Sequence, residues 1–144
     1  MVKTIAVGTD GSETAQIAVD FAMDMAEKYE AKLVIASAYS PVGEDRLRKE
    51  QADAPQDIQW SINPSQDVDA TLRVAEEAAK ERGLSYASDA RNGDPADVLV
   101  EIAADHGADV VVVGNKGMQR RILGSVPNSV SHKAPCSVLI VKTA

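Results

Sequence analysis

The chain has 144 residues, enough for a single domain with a substantial core, and its 44% apolar and 26% charged residues are ordinary for a globular protein. Aromatic residues make up 3%, so the core must be built from Ala, Val, Ile and Leu, which suits an α/β sandwich better than an antiparallel β fold. A formal net charge of −7 argues against nucleic acid or an anionic membrane as the main partner, and no apolar window reaches the roughly 18 residues of a membrane span.

Strand and helix patterns alternate along the chain. A β-branched run over 4–7 is closed by Gly8-Thr9-Asp10-Gly11, and Ser12 caps a helix that runs to Tyr29. Ile17, Ala18, Phe21, Ala22 and Met25 form its predicted apolar stripe. A second buried strand is expected over 33–38. Residues 41–66 hold three prolines, many charges and the single tryptophan without a sustained period, and read as a long connection with one short helical piece near 45–51. Trp60 reads as an anchor for that loop rather than a shield over a ligand.

A helix is expected over 67–82 with Val68, Leu72, Ala75 and Ala79 on one face and Gly83 as its stop. A weak strand over 84–90 follows. Asp94-Pro95-Ala96-Asp97 combines an Asp cap, a proline at the first helical position and an early acid, so a helix starts there and runs to His106 and Gly107. A fourth strand over 108–113, a short helix over 125–133 and a fifth strand over 136–141 complete a β-α-β-α-β-α-β-α-β order. Continuous apolar strands alternating with amphipathic helices imply an open parallel five-stranded sheet with helices on both faces, a Rossmann-like α/β/α sandwich spanning 1–144 as one domain.

Ligands of such sheets bind beyond the carboxyl ends of the strands. The loop after the fourth strand stands out there. Every one of the 22 acidic residues lies at or before Asp109, whereas Lys116, Arg120 and Arg121 fall in an acid-free stretch with Gly114, Gly117 and Gly124-Ser125. Glycines permit close backbone approach, and Ser125 with the amides of Val126 and Asn128 offers an anion-binding helix start, Pro127 having no N–H to give. The spacing is neither a Walker loop nor a dinucleotide fingerprint, and an ordinary tight β-to-α turn with solvated arginines is the alternative. In the first loop, Thr9 and Asp10 sit where a carboxylate accepts from ribose hydroxyls, or merely holds its own turn. His106 and His132 read as surface residues near helix ends, Asp94 as a cap, and Cys136 as a small buried hydrophobe. No metal-ligand spacing and no nucleophile elbow occur.

The opening Ile-Ala-Val-Gly-Thr-Asp-Gly-Ser, the Gly93-Asp94-Pro95 helix entry, Val-Val-Val-Val-Gly and its following glycine, Gly124-Ser125-Val126, and the closing Pro-Cys-Ser-Val-Leu-Ile-Val occur in an order that resembles the universal stress proteins over nearly the whole chain. The resemblance implies an adenine-nucleotide site, for ATP or another adenine nucleotide such as AMP, ADP or cyclic AMP, with or without Mg2+. Gly114, Gly117, Gly124, Ser125 and Val126 would surround phosphates and ribose, Asp10 would meet the ribose or adenine side, backbone near Ala38 would read the adenine edge, and Val113 would pack near the nucleoside. Lys116, Arg120 and Arg121 would add charge. The ATP-binding pattern of that family places nine residues before the Gly-Ser pair. This chain has six, Met118 to Leu123, so the nucleoside half of the site is expected to be better kept than the triphosphate half. The resemblance further implies a homodimer through the last strand, Ser137 to Val141, and a stress-response binding module rather than an enzyme, with a slow ATPase and a nucleotide-free module as rivals. The N-terminus lacks the long apolar stretch of a signal peptide and one cysteine excludes an internal disulfide, which together lead to an expectation of the cytoplasm.

Overall fold

The computed structural model is described for residues 1–39, 65–115 and 125–143. Five strands, β1 (Thr4–Gly8), β2 (Lys32–Tyr39), β3 (Tyr86–Asn92), β4 (Val110–Gly114) and β5 (Ser137–Val141), form one sheet in the order β3-β2-β1-β4-β5. All neighbours run parallel, with Ile5 opposite both Leu33 and Val110, and Val112 opposite Leu139. The four described helices are α1 (Glu13–Tyr29), α2 (Ser65–Glu81), α3 (Pro95–His106) and α4 (Ser125–Lys133). This is the α/β/α sandwich expected from the alternation. The predicted helical piece near 45–51 and Trp60 lie outside the described residues.

Strand alternation divides the core into two halves. Ile5, Val7, Leu33, Ile35 and Val112 point to the face covered by α1 and α2, while Ala6, Val34, Ala36, Val111 and Val113 meet α3 and α4. The central strands are apolar on both sides because both sides are covered, which is why β4 reads as an unbroken valine run. Burying each large aliphatic side chain contributes about 1.5–3 kcal/mol of transfer free energy.

Helix α1 departs from the expected register. Its buried residues are Ala18, Val19, Ala22, Met23 and Ala26, whereas Ile17 and Phe21 remain 45% and 44% exposed. The sheet selects the small side chains, which let the helix lie close, and turns the bulky pair outward. Arg82 bonds the carboxylates of Asp24 and Glu27 on the flank that faces α2, fixing the same rotation from outside the core.

Two strand starts also move. Leu84 donates its N–H to the Ala79 carbonyl at 3.0 Å and Ala108 donates to Ala103 at 2.9 Å. Each closes the helix before it beyond a left-handed glycine, Gly83 or Gly107, so neither is available to the sheet. Pairing with Ala38 and Tyr39 then carries β3 out to Arg91 and Asn92. His106 is not the free surface residue expected. Its Nε2 lies 2.9 Å from Asp89 Oδ2, and Arg91 bridges Asp89 and Asp105, tying the end of α3 to the edge strand. His132 is exposed, as expected. Cys136 is half-buried against the α3–α4 half of the core rather than fully buried, and burial pushes its thiol pKa up.

Candidate functional site

Strand order reverses between β1 and β4: the chain builds outward from β1 to β2 and β3, then crosses to β4 and β5. Side chains and loops diverge at such a switch point and leave a crevice beyond the carboxyl ends of the strands. A cleft opens at that place, with about 750 Å³ of empty space that includes its open mouth.

The β1 side is shaped by a self-supported turn. Thr9 donates its N–H to the Ala36 carbonyl at 2.9 Å, and its own Oγ1 accepts from Gly11 N–H at 3.1 Å. Asp10 Oδ1 accepts from Ser12 N–H at 2.9 Å, and Ser12 Oγ in turn accepts from Ala15 N–H at 3.1 Å, capping α1. Ser37, 3% exposed, donates its hydroxyl to the Thr9 carbonyl at 2.9 Å and so fastens the turn to β2. Asp10 therefore holds its turn and also lines the cleft.

The β4 side is tighter. A Cβ built at Gly114 would lie 3.1 Å from Thr143 Cγ2, so a side chain there would push Thr143 aside by a few tenths of an ångström. Gly8 is similarly close to Leu99, at 3.2 Å. Pro95, Val98 and Leu99 of α3 and Val126 and Pro127 of α4 form the opposite, apolar wall.

Of the expected site residues, the structure brings Thr9, Asp10, Ala38, Val113, Gly114 and Val126 to the lining of this cleft. Ser125 is the first residue of α4. Lys116, Gly117, Arg120, Arg121 and Gly124 lie outside the described residues. Residues that sequence reasoning missed are Thr14 and Ala15 at the start of α1, Ser37, Pro95, and Thr143 beyond the last strand. Pro95 had a signal, since it follows a helix cap at the carboxyl end of a strand. Val98 and Leu99 had none, because an amphipathic helix reads the same whether its apolar face meets a sheet or a ligand.

Among the described lining residues Asp10 is the one charged group. Three helix N-termini converge here, and two already carry carboxylates: Glu13 on α1, and on α3 Asp97 with the cap Asp94, whose Oδ2 accepts from Ala96 and Asp97 N–H at 3.1 and 3.2 Å. Helix α4 has no acid in its first turn, and Val126 and Pro127 of that turn line the cleft, so its partial positive end favours an anion there. Among the described residues no group of three His, Cys, Asp or Glu side chains could hold a metal ion. The arrangement is that of a binding cleft with an apolar wall, hydroxyls and a carboxylate on one side, and an anion-favouring helix start at one end.

Comparison with known proteins agrees with this fold. The family model for the universal stress protein family matches residues 1–142. The universal stress protein Rv1636 of Mycobacterium tuberculosis is 41% identical over 145 residues, covering 98% of this chain and 97% of its own, and its crystal structure superposes with a TM-score of 0.61 at 99% and 97% coverage. A crystal structure of a universal stress protein in complex with cAMP is 38% identical, covers 99% of both chains and has a TM-score of 0.76. A relative from Thermus aquaticus, also a universal stress protein, is 30% identical over 99% of this chain and all of its own. A matched family model over nearly the whole sequence, close relatives at full length and the same sheet place the assignment beyond the fold alone: the chain belongs to the universal stress protein family.

Proposed function

We propose that this protein binds an adenine nucleotide carrying one phosphate, cyclic AMP or AMP, and acts as a stress-response sensor or protective module without rapid turnover. The observation that carries the reading is the switch-point cleft itself. It has an apolar wall for a base, Asp10 and hydroxyls for a ribose, and a single uncompensated helix start for a phosphate. The 38% identical relative captured with cAMP supports the ligand class. The loop that follows Gly114 is three residues shorter than the ATP-binding pattern of the family, which favours one phosphate over three.

Binding is expected to be indifferent to Mg2+, because Asp10 is the sole carboxylate of the described lining and its Oδ1 is already engaged by Ser12 N–H. Catalysis would need a general acid–base pair, and one carboxylate holding its own turn is a poor candidate for either role. The account also includes a homodimer through β5, whose outer edge has no neighbour among the described strands and whose Val138, Leu139 and Ile140 are partly exposed. The cytoplasm is the proposed location. No described helix is long and apolar enough to cross a membrane. Titration of nucleotide-stripped protein with cyclic AMP, AMP and ATP tests the reading: saturable binding of the first two is expected, and no binding of any adenine nucleotide would overturn it.

A further inference from the structure

The chain does not leave the cleft after β5. Asn115, 3% exposed, donates its backbone N–H to the Val141 carbonyl at 2.9 Å. Its Oδ1 accepts from the Thr143 N–H at 2.7 Å and from the Thr143 Oγ1 hydroxyl at 2.9 Å. A backbone N–H can only donate, so the orientation of the Asn115 carboxamide is fixed by its partner. The result is a latch: residues 142–143 are folded back so that Thr143 stands over Gly114, with its methyl against the strand end, and lines the cleft.

From this latch we infer that Thr143 contacts the nucleoside part of the bound ligand and that Asn115 is the residue that positions it there. The inference rests on the proposed nucleotide binding and extends it to a segment beyond the last strand. Thr143 has two hydrogen-bond donors, its N–H and its O–H, and Asn115 Oδ1 takes both. What Thr143 retains for a ligand is a methyl group and oxygen lone pairs. Thr143 itself has no donor left for a phosphate oxygen, whereas a ribose hydroxyl or the rim of a base fits an acceptor beside a methyl group. The C-terminal segment is thus a wall for the nucleoside, and the anion end of the cleft lies elsewhere, toward α4.

Two variants test this: Asn115→Ala, and a chain ending at Val141. The deletion leaves all five strands intact. Affinities for adenosine and for cyclic AMP are measured by calorimetry, together with amide hydrogen exchange at Thr143 in the unliganded protein. Both variants are expected to weaken adenosine and cyclic AMP by the same factor, about tenfold, the usual effect of losing one well-placed contact region. Exchange at the Thr143 amide is expected to be slow in the wild type and fast in Asn115→Ala. Wild-type binding with unweakened variants, or a loss confined to cyclic AMP, overturns the inference alone. A wild type that binds neither ligand overturns the proposed function and the inference with it, and a Thr143 amide that exchanges fast in the wild type removes the latch whatever the ligands do.

Discussion

Single residues carry two tests of the fold. Glu30 ends α1 in the left-handed region, φ 54°, donating its N–H back to the helix, at a position where glycine is the usual solution. Glu30→Gly is therefore expected to stabilise the protein by about 1 kcal/mol in urea unfolding, and a loss of stability would contradict that reading of the cap. At the same, amino-terminal end of the strands, Asp109 accepts from the backbone N–H of Lys3 at 2.8 Å and Thr4 at 3.0 Å, and these bonds hold its carboxyl below the usual carboxylate range. A depressed folded value means that its contribution is complete above the ordinary carboxylate pKa and is lost as pH falls through the lowered one. Asp109→Asn should flatten the fall of the thermal midpoint below about pH 4, and wild-type and variant curves that stay parallel would remove Asp109 from the account. Caps such as Ser12 and Asp94 were legible in the sequence because a cap and its partners are two or three residues apart. Ser37 and Thr143 were not, since each acquires its role from a partner 28 residues away that only the folded sheet brings near.

At the scale of elements, the alternation of apolar strands with amphipathic helices was enough to read the sheet and its two helical layers. What the pattern left open was rotation and ends. Helix α1 offers two apolar faces one residue apart, and the sheet buries the one rich in alanine, so Met23 is 1% exposed while Phe21 faces out. Met23→Ala should cost about 2–4 kcal/mol and Phe21→Gln less than about 1 kcal/mol in chemical unfolding. The reverse ranking would show the helix rotated toward the stripe that periodicity suggested. Strand starts at 84 and 108 were misread for a local reason: an apolar residue after a helix-ending glycine closes the helix and looks like the next strand. For the site, the first loop and the glycine that ends β4 were legible as turn chemistry, but the α3 wall was hidden inside an ordinary core face.

For the whole molecule, an acidic protein with a basic, acid-free final stretch presents a net-repulsive surface to polyanions and still leaves one favourable end for a small anion. In the proposed dimer, β5 pairs with its two-fold copy, so charge placed on that edge should separate the subunits. Ile140→Lys is expected to halve the mass seen by light scattering, and an unchanged mass would move the interface elsewhere or remove it. The most direct measurement of the central claim is calorimetric titration of the nucleotide-stripped wild-type protein with cyclic AMP, AMP and ATP, each with and without Mg2+. The account predicts one saturable site per chain for cyclic AMP and AMP, at least as tight as for ATP and unaffected by Mg2+. A site that binds ATP far more tightly and only with Mg2+, or that binds no adenine nucleotide, would contradict it.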